Sequence, residues 1–181
     1  MIRKSLFDVP VWVGKITLNK KLLKQLLKKS IEQNYIHNEK SSWHGSIQTY
    51  DLLKVKGFKY TQKQIENKFY QETKCKVAMT CAWICKNPKG SFNAQHIHAD
   101  CHLSGVYYLQ HNNNGNITFE NSNQVVQSTS LHTKDKHFFH RYKLEVQEDM
   151  IVFFPASVPH FTETNTKETD RLALSFNLVY I

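Results

Sequence analysis

Apolar residues are spaced differently in the two halves of this chain. From Asn19 to Asn34, Leu22, Leu23, Leu26, Leu27 and Ile31 recur at helical spacing with lysines opposite, which predicts an amphipathic helix capped by Asn19. A second helix is predicted over Thr61 to Thr73, opened by a Thr61-x-x-Gln64 capping box and facing inward through Ile65 and Phe69. Ahead of the first helix, Phe7 to Ile16 alternates loosely and reads as a strand ending in Gly14. The polar stretch from Ser41 to Ser46 reads as a loop.

After Lys74 the pattern becomes that of strands. Candidates are Lys76 to Lys86, Gln95 to Ala99, Leu103 to Gln110, Asn116 to Glu120, His137 to Val146, Met150 to Phe154 and Arg171 to Ile181. Asn87-Pro88-Lys89-Gly90 marks a turn, Asn112-Asn113-Asn114-Gly115 a hairpin, and Glu148-Asp149 a further turn. Helices followed by many short strands give an α+β chain with an antiparallel sandwich or barrel. With 181 residues and no linker or repeat, one domain is expected over 1–181, helical to about 74 and β-rich from about 75.

Composition narrows the setting. No apolar run approaches the ~18–20 residues that span a bilayer, so no membrane partner is expected. The opening MIRKSLFDVPVWVGKI lacks a continuous apolar core and a cleavage site, and is read as a strand and not a signal peptide. Cys75, Cys81, Cys85 and Cys101 form no C-x-x-C pair and are read as buried thiols in a reducing cytoplasm. The net charge of +9 owes much to Lys20, Lys21, Lys24, Lys28 and Lys29 on the first helix. A solvated lysine face accounts for it better than a nucleic-acid surface does.

The chemistry is concentrated in the β-rich half. His96-Ile97-His98 places two imidazoles on one face of a strand, and Pro159-His160 offers a remote third. Three such ligands leave open positions on a divalent transition metal, unlike a filled structural zinc site. Arg171 on a later strand suits an anionic co-substrate, and together these point to oxygen chemistry on iron. Spacing alone cannot choose between the pairs His96/His98 and His98/Asp100, since all three would share a strand face. Pro155 and Pro159 flank the loop that aims His160. His137 and His140 read as surface residues, His102 as either an outer support of the site or a surface residue, and Phe119 and Phe176 as core.

The order Trp83…Gly90…Asn93…His96-x-His98, SGVYYL (104–109), ITFEN (117–121), FFPASVPH (153–160) and RLALSFN (171–177) closely resembles the small 2-oxoglutarate- and iron(II)-dependent oxygenases with an H-x-H…F-P-S-x-x-x-H…R-x-S-x-S-F-N order. The opening SLFDVPVWVGKI and the segment from Trp43 to Ser46 are similar to that family as well. The resemblance implies a double-stranded β-helix (jelly roll) with the N-terminal helices packed on it. It implies Fe(II), 2-oxoglutarate and O2 as cofactor and co-substrates, and His96, His98 and His160 as catalytic metal ligands. Arg171 would bind the 5-carboxylate of 2-oxoglutarate, helped by Tyr107, with Ser175 and Asn177 on the same strand face as the arginine. Ala173 stands where the family's serine is usual, removing one hydrogen bond to the co-substrate.

The reaction implied is oxidative decarboxylation to succinate coupled to hydroxylation of a small molecule or a protein side chain. The segment Asn121 to Lys136 and the N-terminal helices would line that substrate's pocket. A cytoplasmic location is expected, with a homodimer admissible. Two other readings use part of the same residues: a cupin-type metalloprotein without 2-oxoglutarate, and a non-catalytic binding module.

Overall fold

The computed structural model of the protein describes residues 8–37, 42–111, 115–122 and 140–181. Two antiparallel sheets face each other, and two helices cover the outside of the larger one. The elements run β1 (Trp12–Lys15), α1 (Lys20–Glu32), β2 (Ile36–His37), β3 (Ser42–Trp43), β4 (Ile47–Thr49), a 3-10 turn (Leu52–Lys54) and α2 (Lys59–Thr73). The β-rich half follows as β5 (Val77–Asn87), β6 (Phe92–His96), β7 (Leu103–Gln110), β8 (Ile117–Glu120), β9 (Arg141–Leu144), β10 (Met150–Pro155), β11 (His160–Thr162) and β12 (Arg171–Tyr180). Strand order is β1-β10-β7-β12-β5-β4-β2 in the larger sheet and β3-β6-β11-β8-β9 in the smaller. From β5 to β8, and again from β9 to β12, successive strands alternate between the sheets. This is the winding of a double-stranded β-helix.

Because the larger sheet is covered on both faces, β7 is buried almost throughout and shows little alternation, whereas β12 sets Arg171, Ser175 and Asn177 on one face against Leu172, Leu174, Phe176 and Leu178 on the other. On the outer face Tyr107, Leu172, Leu174 and Phe176 pack with Leu23, Leu27, Ile65 and Phe69 of the helices. On the inner face Val106, Tyr108 and Ala173 pack with Ile117, Phe119, Phe154 and Val158. Phe119 and Phe176 are core, as expected. Gly105 lets β7 lie flush between its neighbours, since a Cβ there would stand 2.3 Å from Phe176 and 2.9 Å from the Val152 carbonyl.

Asn19 caps α1 by accepting from the Leu22 N–H at 3.0 Å, but Ile31 at the end of the stripe is exposed. The second helix starts earlier than the capping box implied. Phe58 is its N-cap without a side-chain bond, and the Thr61 hydroxyl is buried with no partner among the described residues. The turn before it already runs into helix, so Thr61 is an interior position.

The segment before 74 is not purely helical: β1, β2 and β4 extend the larger sheet and β3 the smaller. β1 ends at Lys15 and not Gly14, and its expected start at Phe7 lies outside the described residues. Asn112 to Asn114 also lie outside them, and β7 and β8 belong to different sheets, so that connection is a crossover and not a hairpin. His137 and 123–136 lie outside the described residues too. Cys85 alone is buried, Cys75 is exposed, and Cys81 and Cys101 are intermediate, which corrects the expectation of four buried thiols.

β5 has an unusual edge. Past Gln48 its outward N–H groups meet side chains and not a strand: Ile84 donates to Thr49 Oγ1, Ala82 to Asp51 Oδ1, and Met79 to Glu66 Oε1. Three acceptors from the helical half thus satisfy buried donors that would otherwise cost free energy.

Candidate metal and co-substrate site

β11 carries His160 directly opposite His96 on β6, and their rings lie 4.4 Å apart between centroids. β6 ends at His96, yet the His98 N–H donates to the Ala156 carbonyl at 3.0 Å, which holds the chain alongside the β10–β11 loop. Three ring nitrogens, one each from His96, His98 and His160, lie within 4.8 Å of one another. The His96 Nδ1–H donates to the Ala94 carbonyl at 2.8 Å and the His160 Nδ1–H to the Val158 carbonyl at 2.9 Å. Those bonds fix the tautomer and leave Nε2 as the lone-pair nitrogen.

Burial, reinforced by His96, lowers the pKa of His160 to about 3 and that of His98 to about 4. Both rings are therefore neutral at pH 7, the form in which imidazole ligates a metal. Three imidazole nitrogen donors with open space beside them fit a redox divalent cation.

Asp100 does not join them. The chain has left the strand by then, Asp100 has φ +59° and is exposed, and the cluster is made by His96 and His98. The shared strand face expected for 96, 98 and 100 ends at the first of them. His102 faces away, its Nδ1 accepting from the Tyr180 N–H.

The histidines border a cavity of about 650 Å³ between the sheets. Arg171 stands at its wall with only 2% of its surface exposed. Its Nη1 donates to the Gly115 and Glu163 carbonyls at 2.9 and 3.0 Å, and its Nη2 to Thr162 Oγ1 at 3.0 Å. Burial pulls the guanidinium pKa down, but no carboxylate pairs with it among the described residues. Glu163 turns its carboxylate to Lys143. A buried cation held by neutral acceptors suits an anionic ligand.

Tyr107 is corrected by the fold. It points into the outer core, and its hydroxyl donates to Asp149 Oδ1 at 2.6 Å. The neighbouring Tyr108 lines the cavity, fully buried, its hydroxyl raised in pKa by burial against the opposing pull of Arg171. Ser175 lines the cavity, 3.8 Å from Cys85 Sγ. Asn177 does not; its Oδ1 accepts from Ser104 Oγ at 2.7 Å, further along the strand. Sequence reading also passes over Thr162, Gly115 and Tyr108, all of which meet or face Arg171.

Comparison with known proteins bears on this arrangement. A family model described as "Putative 2OG-Fe(II) oxygenase" matches residues 81–177, more than half of the chain. The chain belongs to that family. It is an enzyme of the class that uses Fe(II), 2-oxoglutarate and O2, which decides against the cupin and binding-module readings.

Solved structures share the fold at low identity. A prolyl-4-hydroxylase from Pseudomonas putida is 14% identical at a TM-score of 0.60, covering 93% of this chain and 91% of that one. The viral collagen prolyl hydroxylase from Paramecium Bursaria Chlorella virus-1, in complex with 2-oxoglutarate, is 12% identical at 0.59, covering 93% and 94%. HygX from Streptomyces hygroscopicus, with nickel and 2-oxoglutarate bound, is 12% identical at 0.64, covering 94% and 83%. No curated protein matches the chain in sequence. No helix among the described residues is long and apolar enough to cross a membrane.

Proposed function

We propose that the protein couples oxidative decarboxylation of 2-oxoglutarate to hydroxylation of a second substrate, with His96, His98 and His160 holding iron(II) and Arg171 holding the distal carboxylate. The observation that carries this reading is the pairing of a three-imidazole cluster with a buried guanidinium that no carboxylate pairs with among the described residues, in one cavity. When bound, iron(II) supplies activation of O2 as 2-oxoglutarate is oxidised to succinate and CO2 and a C–H bond is hydroxylated.

The chain's own residues do the rest. The carbonyls of Ala94 and Val158 keep two imidazoles in the ligating tautomer. Three neutral ligands leave the cation's full charge for the dianionic co-substrate, which a carboxylate ligand would reduce. Arg171 is pre-oriented by Gly115, Glu163 and Thr162, so little rotamer freedom is lost on binding. Tyr108 adds a neutral hydroxyl donor from the same wall. The apolar packing of Val106, Ile117, Phe154 and Ala173 behind the site limits water and strengthens these contacts.

The direct assay is succinate formation by protein reconstituted anaerobically with Fe(II) and then exposed to O2 and 2-oxoglutarate. Turnover without an added substrate is the expected minimum, abolished in His160→Ala. Absence of any 2-oxoglutarate-dependent succinate, with iron bound, would overturn the proposal.

A further inference from the structure

The cavity is electrically bipolar, and its second pole is not needed for either iron or 2-oxoglutarate. Ala82 lies opposite Phe176 in the β5–β12 ladder, five residues from Arg171, or about 17 Å along the strand. At that level Asp51 lines the cavity. Its Oδ1 accepts from the backbone N–H groups of Ala82 and Leu53, both at 3.1 Å, so the carboxylate is rigidly placed. No cation pairs with it among the described residues. Its neighbour Cys81 contributes only a weak thiol donor, and burial together with Asp51 pushes that thiol up to about 11, so it stays uncharged.

A second feature shares this end. Trp83, the next residue of β5 after Ala82, lines the same cavity with its indole ring, and an aromatic wall beside a carboxylate favours a cation.

We propose, resting on the oxygenase reading above, that Asp51 selects the prime substrate. That substrate is a basic amino acid, free or within a peptide, whose ammonium or guanidinium pairs with Asp51 beside the Trp83 indole. The cavity volume of about 650 Å³ falls within the range of small-molecule sites and leaves room beside a five-carbon dicarboxylate. Arg171 and Asp51 then sort two ligands by charge: the dianion goes to the guanidinium, and the cation is repelled from it and held at the far end.

The test is anaerobic binding, where no turnover intrudes. Thermal shift and calorimetry are run on protein loaded with Fe(II) and 2-oxoglutarate, using L-lysine and L-arginine, their neutral near-isosteres L-norleucine and L-citrulline, and the peptides Gly-Gly-Lys-Gly-Gly and Gly-Gly-Arg-Gly-Gly. At least one cationic probe is expected to bind roughly 10- to 100-fold more tightly than its neutral counterpart. The stronger of the free and peptide arms identifies the source. Asp51→Asn keeps the Oδ1 acceptor for Ala82 and Leu53 while removing the charge, and is expected to abolish the discrimination. The 2-oxoglutarate-dependent shift should persist in that variant.

Equal binding of cationic and neutral probes by the wild-type protein would overturn the inference without any variant, as would discrimination retained in Asp51→Asn. A wild-type protein with no 2-oxoglutarate-dependent shift would bring down the underlying reading first.

Discussion

Gly115→Ala should disable the co-substrate anchor without touching it. Gly115 has φ +81°, and a Cβ built there would fall 1.5 Å from Arg171 Nη1 and 2.8 Å from its Cζ. Reaching the 3.4 Å of ordinary contact requires the guanidinium to move by nearly 2 Å. A flexible surface arginine would swing aside at little cost, but this one is 2% exposed and pinned by three acceptors, including the Gly115 carbonyl itself. Displacement of this size at a bidentate anchor should weaken 2-oxoglutarate binding roughly 10- to 100-fold.

The left-handed backbone adds strain of about 1–2 kcal/mol for alanine, seen as a lower Tm. Gly90→Ala separates the two effects, because Gly90 has φ +83° and a Cβ there would meet nothing within 4 Å, giving strain without collision. Calorimetry of 2-oxoglutarate into the metal-loaded variants is the assay, with metal affinity as the internal control. Gly115→Ala binding 2-oxoglutarate within twofold of wild type, or Gly90→Ala losing it equally, would refute the reasoning.

Other expectations follow from neighbouring contacts. Tyr108→Phe should raise the KM for 2-oxoglutarate, whereas Tyr107→Phe should leave it unchanged and cost about 1–2 kcal/mol in urea unfolding through the lost bond to Asp149. His98→Ala should abolish stoichiometric iron binding and Asp100→Ala should not, measured by metal analysis after anaerobic desalting. Glu66→Ala should destabilise by about 1–3 kcal/mol, since the buried Met79 N–H loses its acceptor. Burial works against the Glu66 charge, but donors from Lys63, Met79 and Gln62 outweigh it and hold the carboxyl below its usual pKa. Its contribution is therefore present above about pH 4.3 and lost as pH falls through the lowered native value, so the variant's deficit should shrink under acid.

What the sequence discloses depends on periodicity. The helix from Lys20 to Glu32 is legible because one face is polar and Asn19 caps it. The strand from Leu103 to Gln110 is legible as a strand, but not as to which face each residue takes. A strand buried on both sides has no polar positions to mark its parity, and this is why the sequence points to Tyr107 where Tyr108 faces the cavity. The short strands β2, β4 and β11 escape because two or three residues carry no period.

The three histidines and Arg171 can be found from their order in the chain, since residue type and spacing survive where conformation does not. Asp100 shares a face with His96 and His98 only if the strand continues past His96, where the chain instead turns and leaves it outside the cluster. Asp51 gives no signal at all. It reaches the cavity only through the side-chain capping of β5, a long-range contact that no local pattern encodes.

The most direct test of the central claim is a crystal grown anaerobically with Fe(II) and 2-oxoglutarate, with anomalous data collected at the iron edge. The expected result is one iron peak within bonding distance of Nε2 of His96, His98 and His160, and a carboxylate forked onto Arg171. An iron peak elsewhere, or one ligated by Asp100 in place of His96, would contradict the account.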